Sequence, residues 1–553
     1  MLHGVKRAGM LAALLLGFIP SGVMAQSGAD RADPSLIRQQ MDEQRPAPTP
    51  APAPVRVQAP AQAAPASAAV GTVLVGAVHV EGAVALPADT FSPAIEPFLG
   101  RQLSLTDLAS LANAVANVAR QAGYGLATAQ VPQQTVQNGI LRVIVDEGGI
   151  DAVEPSGSGA TAVRPFLQRL VNGRPVRTAD LERQLLLAGD VAGVTTDGAR
   201  VERVGGRNVL RVTARQNRVA VRVGLDNWGS SPIGPVRARV DVDVNGALFS
   251  RDQLSLGGLI TPAHPREFQF VRGAWSVPVS PDGTQVSVSA YYGHSRPGAS
   301  LRSRELGGDT VGASASLSHP LLRSRTASLW THGELWMLDS DLDEQGILTR
   351  RDRLRSVTAG LNGLSRLGAG WLVADVSLTH GLTGLGATVR NDPLASRPNA
   401  GGAYTKVAFS AQYNVGLGGR FSLALATQGQ LASRPLLSAE QYGLGGRTFL
   451  RGYDYWEVAG DKGAAASAEL RYDLGKIVPQ ARRVQVYAYA DAGSVHNLQG
   501  GTGGGTLASA GGGLRLTLKH GADASIELGV PLKDSPYTIH PKPRVSFTLT
   551  VPF

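Results

Sequence analysis

The chain has no cysteine in its 553 residues. Neither a disulfide framework nor a thiolate metal site can be built from it. Past the N-terminus it has no run of about 18 apolar residues, the length a membrane helix needs. It has no P-loop pattern, no Gly-x-Ser-x-Gly and no His-Glu-x-x-His. The signatures of nucleotide hydrolysis, of a hydrolase elbow and of a zinc protease are therefore missing. The ten histidines are scattered, and His79, His264, His294 and His380 lack metal-like spacing. No catalytic residue, metal ligand or cofactor is expected. The net charge is +10, but the arginines are spread along the chain. No basic run interleaves with aromatics, so no nucleic-acid partner is expected.

What the chain does have is order along its length. Lys6 and Arg7, the short apolar run at 10–19 and Val23-Met24-Ala25 read as a signal peptide at 1–25, cleaved between Ala25 and Gln26. Residues 26–45 hold one helix candidate. Asp33-Pro34 suits an N-cap and first turn, and Leu36, Ile37 and Met41 follow at helical spacing. A helix that short does not fold alone. Residues 46–71 are rich in proline and alanine and read as an extended linker.

Two small α+β units follow, at 72–148 and 149–216. In the first, Val73, Val75, Val78 and Val80 predict one strand. Ser104-Leu105-Thr106-Asp107 resembles a capping box. It opens a helix whose Leu105, Leu108, Leu111, Val115 and Val118 form a stripe read as core. In the second, helices are expected near 163–171 and 178–188, with strands near 150–153, 199–204 and 209–214.

From 217 to 553 helix signals nearly vanish. Val236, Ala238, Val240, Val242 and Val244 alternate with Arg237, Arg239, Asp241 and Asp243. The end of the chain repeats the pattern, with Val545, Phe547, Leu549, Val551 and Phe553 on one face and Ser546, Thr548 and Thr550 on the other. A period of two gives a strand with one apolar and one polar face. A terminal phenylalanine on such a strand points to an outer-membrane β-barrel, with apolar residues toward lipid and charged ones toward an aqueous lumen. The length suits about sixteen antiparallel strands.

Several motifs, in order, resemble one family. They are Gly123-Tyr124, Val131-Pro132-Gln133, Gly139-Ile140-Leu141-Arg142-Val143 and Glu147-Gly148 in the first unit. Leu185-Leu186-Leu187 and the Gly193 turn follow in the second. The barrel contributes Asp226-Asn227-Trp228-Gly229, Thr448-Phe449-Leu450-Arg451-Gly452-Tyr453 and Tyr489-Ala490-Asp491-Ala492-Gly493. The set is similar to the outer-membrane transporters of two-partner secretion, the TpsB group. Tyr489 departs from it conservatively, where the family often has phenylalanine. The resemblance implies two periplasmic polypeptide-transport-associated (POTRA) domains, a sixteen-stranded barrel, an N-terminal helix able to occupy the lumen and a loop folded into it. It implies that Arg451 and Asp491 meet inside the barrel, with Gly452 and Tyr453 in the loop motif and Tyr489 and Gly493 in the strand motif. The implied partner is a large unfolded exoprotein of the TpsA type, recognised through its N-terminal secretion domain and passed without ATP. Outer-membrane lipid and the barrel-assembly machinery, which would read the Phe553 strand, are the other expected partners. A barrel-assembly factor is the closest alternative, but it typically carries more POTRA domains. A passive porin would not need residues 72–216.

Overall fold

The structure, a computed structural model, describes residues 33–36 and 72–553. The expected signal peptide, with Ala25 and Gln26, lies outside those residues. So do the linker and most of the 26–45 segment.

The expected single strand at 73–80 is two strands. Val73–Val75 pairs antiparallel with Arg101–Leu103, while Ala77–Glu81 pairs parallel with Ile140–Asp146. The chain turns between them at Gly76, whose N–H donates to the Gly139 carbonyl at 2.8 Å. Thr128–Gln130 completes the larger sheet. Helix Leu105–Gln121 starts at a true capping box. Ser104 Oγ accepts from the Asp107 N–H at 3.2 Å, and Asp107 Oδ2 accepts from the Ser104 N–H at 2.8 Å. Leu111 and Val115 are buried by this helix, but Leu105, expected in the core, is 42% exposed. It occupies the first helical position, before the apolar stripe turns inward. Glu147 is buried, and its carboxylate accepts from the backbone N–H groups of Val84, Ala85 and Leu86 at 2.9, 2.7 and 2.8 Å. One side chain thus organises the turn after the second strand.

The next unit has strands Ala152–Ser156, Val194–Val204 and Arg207–Gln216, the last in the centre. Helices Ala160–Gln168 and Thr178–Gly189 cover one face, burying Phe166, Leu167, Leu181 and Leu210. The two units join at Gly123-Tyr124. The Gly123 carbonyl accepts from both the N–H and Oγ1 of Thr178, at 2.8 and 3.0 Å. Arg177 stacks beside the Tyr124 ring.

Strands Val219–Asp226, Arg237–Asn245, Gln253–Ile260, Phe268–Pro278, Gln285–Ser295, Leu306–Arg323, Ala327–Glu344, Ile347–Leu367, Gly370–Gly381, Thr405–Gly418, Phe421–Ala432, Lys462–Gly475, Ala481–His496, Gly505–Leu518, Asp523–Pro531 and Arg544–Pro552 form a closed antiparallel barrel. Val240, Leu256, Val288, Leu335, Phe409, Leu528 and Val545 are exposed on its outer face. The opposite face carries charge, as in the Arg222–Asp243 and Arg237–Asp226 pairs at 2.9 and 2.8 Å. Closure brings residues 548–552 against 222–226. Phe553 extends it, its N–H donating to the Val221 carbonyl at 2.8 Å.

The second α+β unit grips one end of the barrel. Asp190 takes both arms of Arg323 at 2.8 and 2.7 Å, Glu182 takes Arg325, and Arg183 donates to the Pro320 carbonyl at 2.8 Å. The long loops leave from the opposite end.

Candidate functional site

Residues 433–461 connect the eleventh and twelfth strands and fold into the barrel. A short hairpin, Tyr442–Leu444 with Val458–Gly460, stiffens the loop. Its Tyr442, Leu444, Phe449, Leu450 and Tyr453 bury themselves against Val495 and Leu507 of the wall. An apolar anchor of this kind places the polar tip, Arg451, at a fixed depth.

Arg451 is 6% exposed. Its Nε and Nη2 donate to Asp491 Oδ2 and Oδ1, each at 3.1 Å, and its backbone N–H reaches Oδ2 at 3.3 Å. Nη1 donates to Glu469 Oε2 at 2.8 Å and Glu527 Oε2 at 3.3 Å. Nη2 also reaches Ser467 Oγ at 3.2 Å. The guanidinium carbon lies 3.3 Å from the centre of the Tyr489 ring. The planar fork suits this arrangement, since two edges take carboxylates while the face takes the ring.

Two further arginines balance the charge. Arg515 takes Glu469 and lies over the Tyr487 ring, its guanidinium carbon 3.7 Å from the ring centre. Arg471 donates to Glu469 Oε1 at 2.6 Å. Tyr487 donates to Glu527 Oε2 at 2.7 Å. Three cations thus face three carboxylates across four adjacent strands. Such a network gains little over an apolar core. Deleting one member strands a buried charge, at a cost of about 3–5 kcal/mol.

The neighbouring motif residues fill defined places. A Cβ on Gly452 would lie 2.8 Å from Pro531 N, so only glycine lets the loop lie this close to the wall. One on Gly493 would meet Leu444 Cδ1 of the loop at 3.0 Å. Tyr453 Oη lies 2.9 and 2.6 Å from the Ala508 and Lys533 carbonyls and accepts the Lys533 N–H at 3.1 Å.

A second segment shares the lumen. Residues Pro34–Leu36 form one 3₁₀ turn, buried beside the loop; the rest of the expected helix lies outside the described residues. Asp33 Oδ1 accepts from Ser340 Oγ at 3.2 Å, and its other oxygen lies 3.7 Å from Arg350 Nη1. Leu36 packs with Tyr455 and Trp456 of the loop, and Tyr455 Oη donates to the Leu36 carbonyl at 3.3 Å.

Residues 205–516, more than half of the chain, match the family described as haemolysin secretion/activation protein ShlB/FhaC/HecB. The chain belongs to this family. Residues 73–148 match its ShlB-type POTRA domain. The chain is similar to the heme/hemopexin transporter protein HuxB of Haemophilus influenzae (strain 86-028NP), at 24% identity over 403 residues, 70% of this chain and 69% of the relative. It is similar to the outer membrane transporter CdiB of Escherichia coli O6:K15:H31, at 24% over 552 residues, 94% and 89% of the two chains. Among solved structures, CdiB from Escherichia coli superposes with a TM-score of 0.72 at 20% identity, covering 96% of this chain and 98% of that one. BamA from Haemophilus ducreyi gives 0.53 at 16%, covering 87% and 100%. These likenesses show the fold. As a member of this family the chain is a secretion transporter of the outer membrane, its POTRA region in the periplasm.

Within this transporter, Arg451 and Asp491 lie on recognisable strings, whereas Glu469, Glu527 and Arg515 do not. They stand on three other strands and converge only through register and barrel curvature. The one available signal was a charged residue on the polar side of each of these strands.

Proposed function

We propose that the protein exports a large exoprotein of the TpsA type, held unfolded by the POTRA units and passed through the barrel lumen. The observation that carries this reading is the double occupancy of the lumen. The 433–461 loop and residues 33–36 both lie inside the closed barrel and touch each other. Both are held by side-chain contacts that can be exchanged, while the wall behind them is continuous backbone pairing. A passive pore has no use for two such inserts beside a periplasmic receptor.

Extended polypeptide can add to an open sheet edge through main-chain bonds, which tolerate many sequences. The POTRA units offer such edges at Ala77–Glu81 and Val194–Val204. The proposed roles of the site residues are mechanical. Arg451 and Asp491 hold the loop inward, Gly452 and Gly493 let it approach, and Tyr453 and Tyr489 fix its tip. No nucleotide and no enzymatic step enters this reading. Lipid contacts the outer apolar face, and the Phe553 strand is the part read by the barrel-assembly machinery.

The test is to co-express the chain with a candidate exoprotein encoded beside it and to assay that protein outside the cell. Appearance outside only when the chain is present supports export. Unchanged levels outside, with altered insertion of other barrels, would favour an assembly factor.

A further inference from the structure

The outer end of the barrel closure is finished by side chains. The Asn227 N–H donates to the Phe547 carbonyl at 3.4 Å, as an ordinary ladder would. The return bond differs. The Phe547 N–H donates to Asn227 Oδ1 at 2.7 Å, and Asn227 Nδ2 donates to the Val545 carbonyl at 2.9 Å. The side-chain amide thus replaces the main-chain carbonyl, which is left free to accept from Arg544 Nη2 at 2.8 Å. The same nitrogen reaches the Gly229 carbonyl at 3.3 Å.

The other arm of Arg544 points to the loop. Nη1 donates to Asp454 Oδ1 at 2.9 Å and to the Tyr453 carbonyl at 3.3 Å. Asp454 Oδ2 also accepts from the Ser231 N–H at 3.3 Å, and Trp228, beside the Arg544 guanidinium, donates to Thr548. One guanidinium therefore holds the residues just after Arg451-Gly452 on one side and the closing turn on the other. The closure it borders is short. Residues 222–226 pair with 548–552, while the flanking ladders run 219–226 with 237–244 and 523–529 with 544–550.

We infer that Arg544 is a positioning residue that couples the loop to the closure between the first and last strands. The loop cannot withdraw without cutting Arg544 from Asp454 and Tyr453, which frees the arginine from its fixed place on Asn227 and Gly229. Loss of that clamp loosens the short ladder. A purely local role would stabilise the turn without linking it to the loop.

The absence of cysteine makes a reversible clamp simple to install. Gly224 and Thr550 are register partners across the closure, at a spacing suited to a disulfide. In Gly224→Cys/Thr550→Cys, oxidation locks the closure and reductant frees it. The full chain in planar bilayers is then compared with Arg544→Ala and with Asp454→Ala, which removes the loop carboxylate held by Arg544 and the Ser231 N–H and leaves Arg544 on Asn227 and Gly229. With the pair reduced, both substitutions should raise the frequency of conductance steps by at least about tenfold, the effect of losing a single charged hydrogen bond. Oxidation should silence both, and reductant should restore them. Parent-like traces in both variants would overturn the coupling. So would steps in Arg544→Ala alone, since that arginine would then serve only the turn. If Arg544→Ala fails to insert, Asp454→Ala decides by itself: steps that oxidation abolishes support the coupling, and parent-like traces refute it.

Discussion

Arg451 lies face to face with Tyr489 and edge to edge with Asp491, two residues further along the same strand. A single β-strand therefore supplies both the stacking surface and the carboxylate that define the loop tip. The ring forms one side of the arginine's site and the carboxylate its end.

That geometry separates the ring of Tyr489 from its hydroxyl. The hydroxyl is buried beside the Glu527 carboxylate and makes no well-formed hydrogen bond. Tyr489→Phe should therefore leave the barrel at least as stable as the parent, because it removes a buried hydroxyl that lacks a good partner. Tyr489→Leu should cost about 2 kcal/mol, the value of a desolvated cation–π contact. The temperature at which the barrel loses its heat-modifiable mobility would show this contrast. Equal shifts for both would mean that the hydroxyl, not the face, holds the arginine.

The lumenal segment gives a second expectation. Leu36 sits against Tyr455 and Trp456. Deleting 26–68 should leave the barrel inserted and raise its ion conductance. An unchanged conductance would show that the segment does not obstruct the lumen. Loss of insertion would make it a structural strut.

The POTRA region should respond to acid through Asp107. Hydrogen bonds from the Ser104 side chain and backbone hold its carboxyl below the ordinary 3.8. A depressed carboxyl stabilises the fold above that value and loses the contribution as pH falls through the folded one. Asp107→Ala should flatten the acid limb of stability in a fragment spanning 72–216. An acid limb as steep as the parent's would place the titration elsewhere.

Glu147 should matter more at neutral pH. Glu147→Ala leaves three N–H groups without their acceptor, at a cost on the order of 3 kcal/mol. Urea unfolding of the same fragment measures it. A loss below about 0.5 kcal/mol, ordinary for a surface site, would mean water replaces the carboxylate freely.

The barrel was legible because each strand writes its two faces in alternation. Register was not, and the site depends on it. Glu469 and Glu527 are simple polar-face residues in sequence, yet both reach Arg451 once strands twelve to fifteen are paired. The single strand expected at 73–80 also overlooked a slip in the pattern, since the valine spacing lengthens from two to three between Val75 and Val78, where the chain switches sheets at Gly76. Local pattern failed at Leu105, whose helical spacing matches a core position although the first turn faces solvent. At the Arg451 site it was long-range pairing that decided the outcome.

Secretion by Arg451→Ala tests the central claim most directly, namely that this arginine holds the loop in its working place. The substituted barrel should remain in the outer membrane and stay heat-modifiable, while the partner exoprotein disappears from the medium. Arg451→Lys should rescue little, because one ammonium cannot engage both Asp491 oxygens, Glu469 and the Tyr489 face together. Adding Asp491→Ala should worsen the defect little, since the two residues act within one interaction. Parent-level exoprotein in the medium from Arg451→Ala would contradict the account, and fully additive losses in the double variant would show that Arg451 and Asp491 act apart.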